Sequence, residues 1–168
     1  MKQEPKSRKA TQKQNVRMSC RKLEHLLRES FPARGLLVTL EHQRTPSSRF
    51  NSILYVKDWL RLAKVLYKKS GLPFQYIYAT EWNGRAGAVV HRAIVAPAGT
   101  AALLEQLGEL WEFGNCGIKD IALGEQSGSV ARLLMRQHLE AGANVSPSGR
   151  MWSPCFGLEG GAQDATGQ

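Results

Sequence analysis

Two strand-like segments joined by a tight turn limit the folds open to this chain more than any other feature. Residues 74–81 (FQYIYATE) and 88–96 (AVVHRAIVA) are rich in β-branched, aromatic and small apolar side chains. The linker between them, WNGRAG, contains an Asn-Gly pair, the dipeptide favoured in two-residue hairpin turns. The sequence therefore predicts an antiparallel hairpin near the middle of the chain.

The segment before this hairpin has the periodicity of an amphipathic helix. Over residues 53–69, apolar side chains recur on one face and most charged side chains fall on the other. The apolar set is Val56, Trp59, Leu60, Ala63, Leu66 and Tyr67. Ser70, Gly71 and Pro73 follow it and are typical of a helix end. One face of this helix is expected to cover a sheet.

The remaining patterns complete an α+β chain. They predict a helix from about Ser19 to Ser30, a strand over 35–42, a helix capped by Thr100 over 100–113, a strand over 117–123 and a helix over about 128–141. Helices and strands mixed in this order, around a hairpin, fit an antiparallel sheet with helices on one face. The other face would then be open to a ligand.

The two ends of the chain have a different composition from this domain, which spans residues 23–156. Residues 1–22 carry eight basic side chains and one acidic side chain, with almost no large apolar residue before Val16. Such a segment cannot bury enough surface to offset its ordering entropy, so a flexible basic arm is expected. Residues 157–168 are rich in glycine and polar residues, which predicts a disordered tail.

The charge balance favours an acidic partner. Lys and Arg number 23 against 14 Asp and Glu, a formal charge of +9, so the surface field attracts polyanions, with acidic membrane surfaces as the alternative. The chain has no apolar run long enough to span a membrane and no secretory signal, which predicts a cytoplasmic protein. The three cysteines form no CxxC pair and are interpreted as reduced thiols.

Two side chains of the hairpin suggest a metal site. Glu81 and His91 lie on its two strands, and a suitable register would bring the carboxylate and the imidazole together. His42, at the end of the first strand, could complete the set, since two ligands are too few for a tight site. The alternatives are a histidine satisfied within the sheet and a glutamate exposed at a strand end.

Several blocks, taken in order, resemble a known family. They are RMSCRKLEHLLRESFPARGLLVTLEH, DWLRLAKVLYKKSGLPFQYIYATEW, AVVHRAIV, LWEFGNCGIKDIAL, VARLLMRQ and SGRMWSPCFGL. Together, over residues 17–155, they resemble the HUH-type replication initiators (Rep proteins) of rolling-circle plasmids and phages. The resemblance implies a ferredoxin-like or RRM-like palm and a single-stranded or hairpin DNA partner. It also implies a Mg or Mn ion, which polarises the scissile phosphate.

The catalytic motifs of that family are incomplete in this chain. The family holds its metal with two histidines separated by one hydrophobic residue, whereas here Ala93 follows His91 at that spacing; aligning His91 as the second histidine places Val89 in the first position. Leu133 stands where the family has its nucleophilic tyrosine, with Arg136 in place of the lysine that follows. The resemblance therefore implies a DNA-binding protein of a plasmid, phage or integrated element with lost or weakened nicking activity.

Charge and placement give the candidate nucleic-acid contacts. They are Lys6, Arg8, Lys9 and Lys13 in the arm, Arg44, Arg49, Arg85 and Arg92 near the sheet and its loops, and Arg136. A weakly active metal-dependent nickase and an RNA-binding ferredoxin-like module, using aromatic residues of FQYIYATE, are the alternatives. A regulatory protein that binds no nucleic acid is a further one. The DNA target and the oligomeric state stay open.

Overall fold

The computed structural model describes residues 8–83, 88–141 and 151–155, with only the backbone described at residues 8–10, 88 and 141. Its helices are α1 (Arg8–Ser30), α2 (Arg49–Lys69), α3 (Ala101–Glu109), α4 (Leu123–Leu134) and α5 (Arg136–Ala141). Its strands are β1 (Arg34–Glu41), β2 (Tyr76–Asn83), β3 (Ala88–Val95), β4 (Cys116–Ala122) and β5 (Ser153–Cys155).

The five strands form one antiparallel sheet in the order β4-β1-β3-β2-β5. The predicted hairpin is confirmed, because β2 pairs with β3 from Tyr76 opposite Val95 to Asn83 opposite Ala88. The run β1-α2-β2-β3-α3-β4, with β1 and β3 central, has the ferredoxin-like arrangement. The α+β class and the antiparallel sheet are therefore confirmed.

Helix α2 buries the apolar stripe predicted for it. It begins at Arg49, four residues earlier than predicted, because the Ser48 side chain caps it by accepting a hydrogen bond from the Asn51 backbone N–H at 3.1 Å. At its buried face the Trp59 indole donates to the Leu107 carbonyl of α3 at 3.2 Å. Helices α2 and α3 thus cover one face of the sheet together.

The second face of the sheet is also covered, so the predicted placement of helices on one face only is wrong. Ile77 and Ala79 of β2 and Ile94 of β3 face away from α2 and pack in a second core with α1 and α4. The physical reason is that β2 and β3 are apolar on both sides, as in strands that lie between two layers. The sheet therefore lies between two helical layers, although Gly117 and Lys119 of the edge strand β4 are exposed.

Helix α1 extends through most of the segment predicted to be a flexible arm. Residues 8–22 are helical, whereas residues 1–7 and 157–168 lie outside the described residues. Val16, Leu23 and Leu27 are buried in the second core, with Cys20 packed against it. Their spacing of four, three and four residues places them on one helix face, which anchors the basic segment to the sheet.

The end of the described chain holds features that the sequence patterns did not predict. The single helix expected over 128–141 is two helices, α4 and α5, separated at Met135. Strand β5 pairs with Tyr76–Tyr78 of β2, and beside it the Trp152 indole donates to the Ser19 hydroxyl of α1 at 2.9 Å. The beginning and the end of the domain therefore meet on one face.

Helix α5 fixes the far end of β2 through one side chain. The Gln137 amide accepts a hydrogen bond from the backbone N–H of Trp82 at 3.1 Å and donates another to the Trp82 carbonyl. Trp82 lies beyond the three residues of β2 that β5 pairs. Gln137 therefore satisfies backbone groups of an edge segment in the way that a neighbouring strand would.

The sequence predicts reduced cysteines and no membrane-spanning segment. Cys20, Cys116 and Cys155 are all free thiols, as predicted. Among the helices of the described ranges, none is both long enough and apolar enough to cross a bilayer.

Candidate functional site

The residues that sequence patterns singled out converge in part, at the end of the sheet where β1 finishes. His91 lies in β3, opposite Leu40 of β1 and Thr80 of β2, and is fully buried. His42 follows β1, and its Nε2 atom lies 2.8 Å from Nε2 of His91. The Nδ1 atom of His91 is 2.8 Å from the Thr80 hydroxyl. His91 is thus hydrogen-bonded at both ring nitrogens.

His42, the outer histidine, belongs to an aromatic cluster that also contains Tyr55, Trp111 and Phe113. The His42 ring centroid lies 5.4 Å from that of Tyr55 and 5.0 Å from that of Trp111, both edge-on. Tyr55 and Phe113 meet at 4.5 Å, also edge-on. The Trp111 indole donates to the Glu41 carbonyl at 3.0 Å, which fixes the cluster to the end of β1.

Burial makes both histidines weak bases. It lowers the pKa of His42, and it lowers the pKa of His91 to about 3, with smaller contributions from the nearby His42 and the Arg49 guanidinium. The site near neutral pH is therefore a neutral, hydrogen-bonded pair of imidazoles.

Glu81 does not join this pair, so its predicted convergence with His91 is wrong. The register sets Glu81 opposite Val90 and Thr80 opposite His91, which places the carboxylate and the imidazole on opposite faces of the sheet. The Glu81 carboxylate instead binds Arg136 at 2.8 and 2.9 Å and Arg92 at 3.1 Å. Burial raises its pKa, but the hydrogen bonds from Arg136 and Arg92 outweigh that effect and lower it.

The predicted metal set of Glu81, His91 and His42 is thereby reduced to two histidines. Across residues 8–83, 88–141 and 151–155, no three His, Cys, Asp or Glu side chains are grouped so as to hold an ion. Mg and Mn favour carboxylate and water oxygens, and here the carboxylate is held by two arginines on the other face. The residues present do not fit the ion that the resemblance implies.

The predicted nucleic-acid contacts are found in different settings. Lys13 is exposed on α1, Arg44 is exposed in the loop after β1, and Arg49 is half-buried at the first turn of α2. Lys6 and Arg85 lie outside the described residues, and Arg8 and Lys9 are described only as backbone of α1.

Arg92 and Arg136 are candidate contacts whose charges are paired with the Glu81 carboxylate. The Arg92 side chain is 12% exposed and its guanidinium is bound to Glu81, which removes it from the candidate contacts. Arg136 is 48% exposed but shares the same carboxylate. The ion group joins β2, β3 and α5, so its structural role is to fix α5 on the sheet.

Two exposed helix faces carry rows of basic residues, of which only Lys13 was among the contacts predicted from the sequence. We call them the α1 basic stripe, formed by Lys13, Arg17 and Arg21, and the α2 basic stripe, formed by Lys57, Arg61, Lys64 and Lys68. Steps of four residues in the α1 stripe, and of four, three and four in the α2 stripe, keep each row on one helix face. That spacing is visible in the sequence once the helices are assigned.

Leu133 stands at the position where the resembled HUH-type initiators have their nucleophilic tyrosine. Leu133 is half-buried in α4, while Tyr67 and Tyr78 are buried on the other side of the sheet. Tyr55 is the tyrosine in contact with His42. No family model, curated protein or solved structure matches this chain.

Proposed function

We propose that this chain binds nucleic acid, with DNA as its ligand, through phosphate contacts along its exposed basic helix faces. The observation that carries the proposal is the α2 basic stripe. Its four cations recur at i, i+4, i+7 and i+11, and Asp58, an exposed acid of the same helix, lies 3.7 Å from Arg61. A row of cations against a polyanion releases counterions, which is the main source of sequence-independent affinity.

The packing of α2 supports this assignment. Its inner face is buried against the sheet, so the outer face is presented in a fixed orientation. From Lys57 to Lys68 the helix rises roughly 16 Å, at about 1.5 Å per residue. Phosphates on one strand of a duplex are spaced by about 3.4 Å along the axis, so the length of the stripe matches the axial rise of about five nucleotides.

The α1 basic stripe adds a second surface of the same kind. Lys13, Arg17 and Arg21 are exposed while the opposite side of α1 is buried in the second core. The two stripes lie on helices that cover opposite faces of the sheet. We therefore expect DNA to contact the helices, and to leave the covered sheet untouched.

The proposal keeps the Rep-like context of a plasmid, phage or integrated element. The ferredoxin-like strand order supports that context. The catalytic part is expected to be lost, because Ala93 and Leu133 replace a metal ligand and the nucleophile of the resembled family and the remaining ligands do not converge.

Salt-dependent binding is the test. Fluorescence anisotropy with a labelled 20-nucleotide DNA, repeated over a range of salt concentrations, should give a log–log slope that becomes shallower by about 0.7 to 0.9 for each phosphate contact removed. The quadruple variant of Lys57, Arg61, Lys64 and Lys68 to glutamine should weaken binding and flatten this slope.

The control is Arg34→Gln, which removes one exposed cation that lies outside both stripes. Arg34 is held by Asp120 at 2.9 Å, so its loss should leave the slope unchanged. Binding that is absent, or insensitive to salt, would contradict the proposed function. Binding of an RNA of the same sequence at least tenfold more tightly would contradict the choice of DNA.

Nicking is the second candidate, and one observation favours it. Tyr55 is exposed and its ring contacts His42, so a hydroxyl lies in the neighbourhood of the histidine pair. We expect no covalent adduct when the protein is incubated with single-stranded DNA and Mn²⁺. An adduct that disappears in Tyr55→Phe would replace the binding-only proposal with a nickase.

A further inference from the structure

An exposed pair of aromatic rings stands apart from the basic stripes. Tyr55 and Phe113, the outer members of the aromatic cluster, are 36% and 42% exposed and in edge-on contact with each other. Neither ring takes part in the phosphate contacts proposed above. Rings that a protein leaves open at its surface, side by side, offer flat apolar faces to a ligand.

The backbone around Phe113 holds its ring in place. The Phe113 carbonyl accepts a hydrogen bond from the Gln43 N–H at 2.7 Å, and the Asn115 carbonyl accepts one from Glu41 at 2.9 Å. Gly114, between them, packs so tightly that an added Cβ would lie 2.0 Å from the Glu41 carbonyl oxygen. The loop thus continues the ladder of β1 and fixes the backbone at Phe113, while the Phe113 ring also packs edge-on against Trp111 at 5.2 Å.

The second ring is equally constrained. Tyr55 lies within α2, and its ring is in contact with His42 on one side and Phe113 on the other. Because both rings are already ordered, a ligand that stacks on them loses little additional side-chain entropy.

Both acidic and basic side chains lie near Tyr55 and Phe113, and their balance indicates which chemical group the two rings can bind. Arg44 is exposed close by in sequence, and so are Glu41 and Glu112. This balance gives little attraction for phosphate alone. A neutral flat group is therefore the better match for this patch, within a protein whose basic stripes supply the electrostatic attraction.

We propose that Tyr55 and Phe113 form a stacking site for unpaired nucleobases of a single DNA strand. This inference rests on the proposed function, since it assigns to the bases a site separate from the phosphate contacts. Every base has a π-face, so the site would be tolerant of sequence. A duplex keeps its bases stacked inside and cannot offer them to the two rings.

The test separates bases from phosphates. The probes are a labelled 20-nucleotide oligothymidine, a strand of equal length and charge that carries abasic sites throughout, and a duplex of the same length. Phe113→Leu should weaken oligothymidine binding by about tenfold, the effect expected when one stacked base is lost. It should leave the salt slope and the affinity for the abasic strand unchanged.

Two further variants keep the result interpretable. Phe113→Tyr retains a ring and should retain the affinity, which separates stacking from a folding defect. Phe50→Leu removes a phenylalanine that is 71% exposed at the start of α2, outside the aromatic cluster, and should have no effect.

The failures of the two proposals differ. If the protein binds none of the three probes, the proposed function is wrong. If it binds all of them with salt dependence, and Phe113→Leu changes nothing or weakens the abasic strand equally, only the stacking site is wrong.

Discussion

The Nε2 atoms of His42 and His91 lie 2.8 Å apart, so one imidazole donates a hydrogen bond and the other accepts it. Protonation of the accepting Nε2 atom would place two donors against each other. The Thr80 hydroxyl at Nδ1 of His91 completes a chain of three polar groups in an otherwise apolar part of the domain.

The stability of the protein should fall as the pH is lowered through the range where free histidine titrates. Burial holds the pKa of His91 at about 3, whereas an unfolded histidine has a pKa of about 6.5. The contribution of neutral His91 to the free energy of unfolding is complete above pH 6.5. It is lost progressively between pH 6.5 and about 3, at up to about 1.4 kcal/mol per pH unit. His42 and His138, with pKa values also lowered by burial, act in the same direction.

Denaturant unfolding at pH 7, 6 and 5 measures this slope. His91→Gln should flatten it, while His25→Gln, at an exposed position of α1, should not. A wild-type stability that is constant from pH 7 to pH 5 would show that the buried pair does not take up protons on unfolding.

Glu81→Gln should destabilise the protein by about 2 kcal/mol, because it leaves the Arg92 and Arg136 guanidinium groups without their shared carboxylate. Arg92 is largely covered and cannot regain full hydration. Asp58→Asn is the control, since it removes an exposed partner of Arg61 and should cost less than about 0.5 kcal/mol. Equal effects in thermal or denaturant unfolding would contradict the role given to Glu81.

Gln137→Ala should release the outer end of β2. The loss of two hydrogen bonds to the Trp82 backbone is expected to cost about 2 kcal/mol and to speed hydrogen exchange of the Trp82 amide. The control is Gln106→Ala, at an exposed position of α3. Unchanged exchange at Trp82 in Gln137→Ala would mean that the amide is protected by something else.

Gly114→Ala should lower the stability of the protein, whereas Gly108→Ala should raise it. At Gly114 a Cβ would lie 2.0 Å from the Glu41 carbonyl oxygen and 2.7 Å from the Gln43 nitrogen, so the loop must move, at a cost of about 3 kcal/mol. At Gly108, within α3, nothing lies within 4 Å, and alanine should stabilise the helix by up to about 1 kcal/mol. Melting temperatures that shift in the same direction would refute the steric argument.

Local patterns were sufficient for the elements whose signals lie within one segment. The hairpin was predicted from the linker WNGRAG with its Asn-Gly pair, and α3 begins where Thr100 predicted it, with the threonine side chain accepting a hydrogen bond from the Leu103 N–H. The sequence predicts too late a start for α1, near Ser19, because apolar residues are sparse before Val16. Val16, Cys20, Leu23 and Leu27 nevertheless lie on one helical face. The basic side chains obscured that face.

The site was harder to predict because its partners come from distant segments. His42 and His91 were both candidates, and they do meet, but the register between β2 and β3 sends Glu81 to the opposite face. A one-residue difference in strand register reverses every side chain, and no single strand reveals it. Phe113 could not be predicted as a site residue, since it joins the aromatic cluster only through the packing of its loop against Glu41 and Gln43.

The hydrogen bond between Trp152 and Ser19 also bears on how the protein is made. It joins two residues that are 133 positions apart, and β5 beside it closes the outer edge of β2. A growing chain can form the ferredoxin-like unit once β4 has left the ribosome. The layer between α1 and the sheet also needs α4 and Trp152, so translation would leave part of its apolar surface uncovered until those residues have emerged from the ribosome.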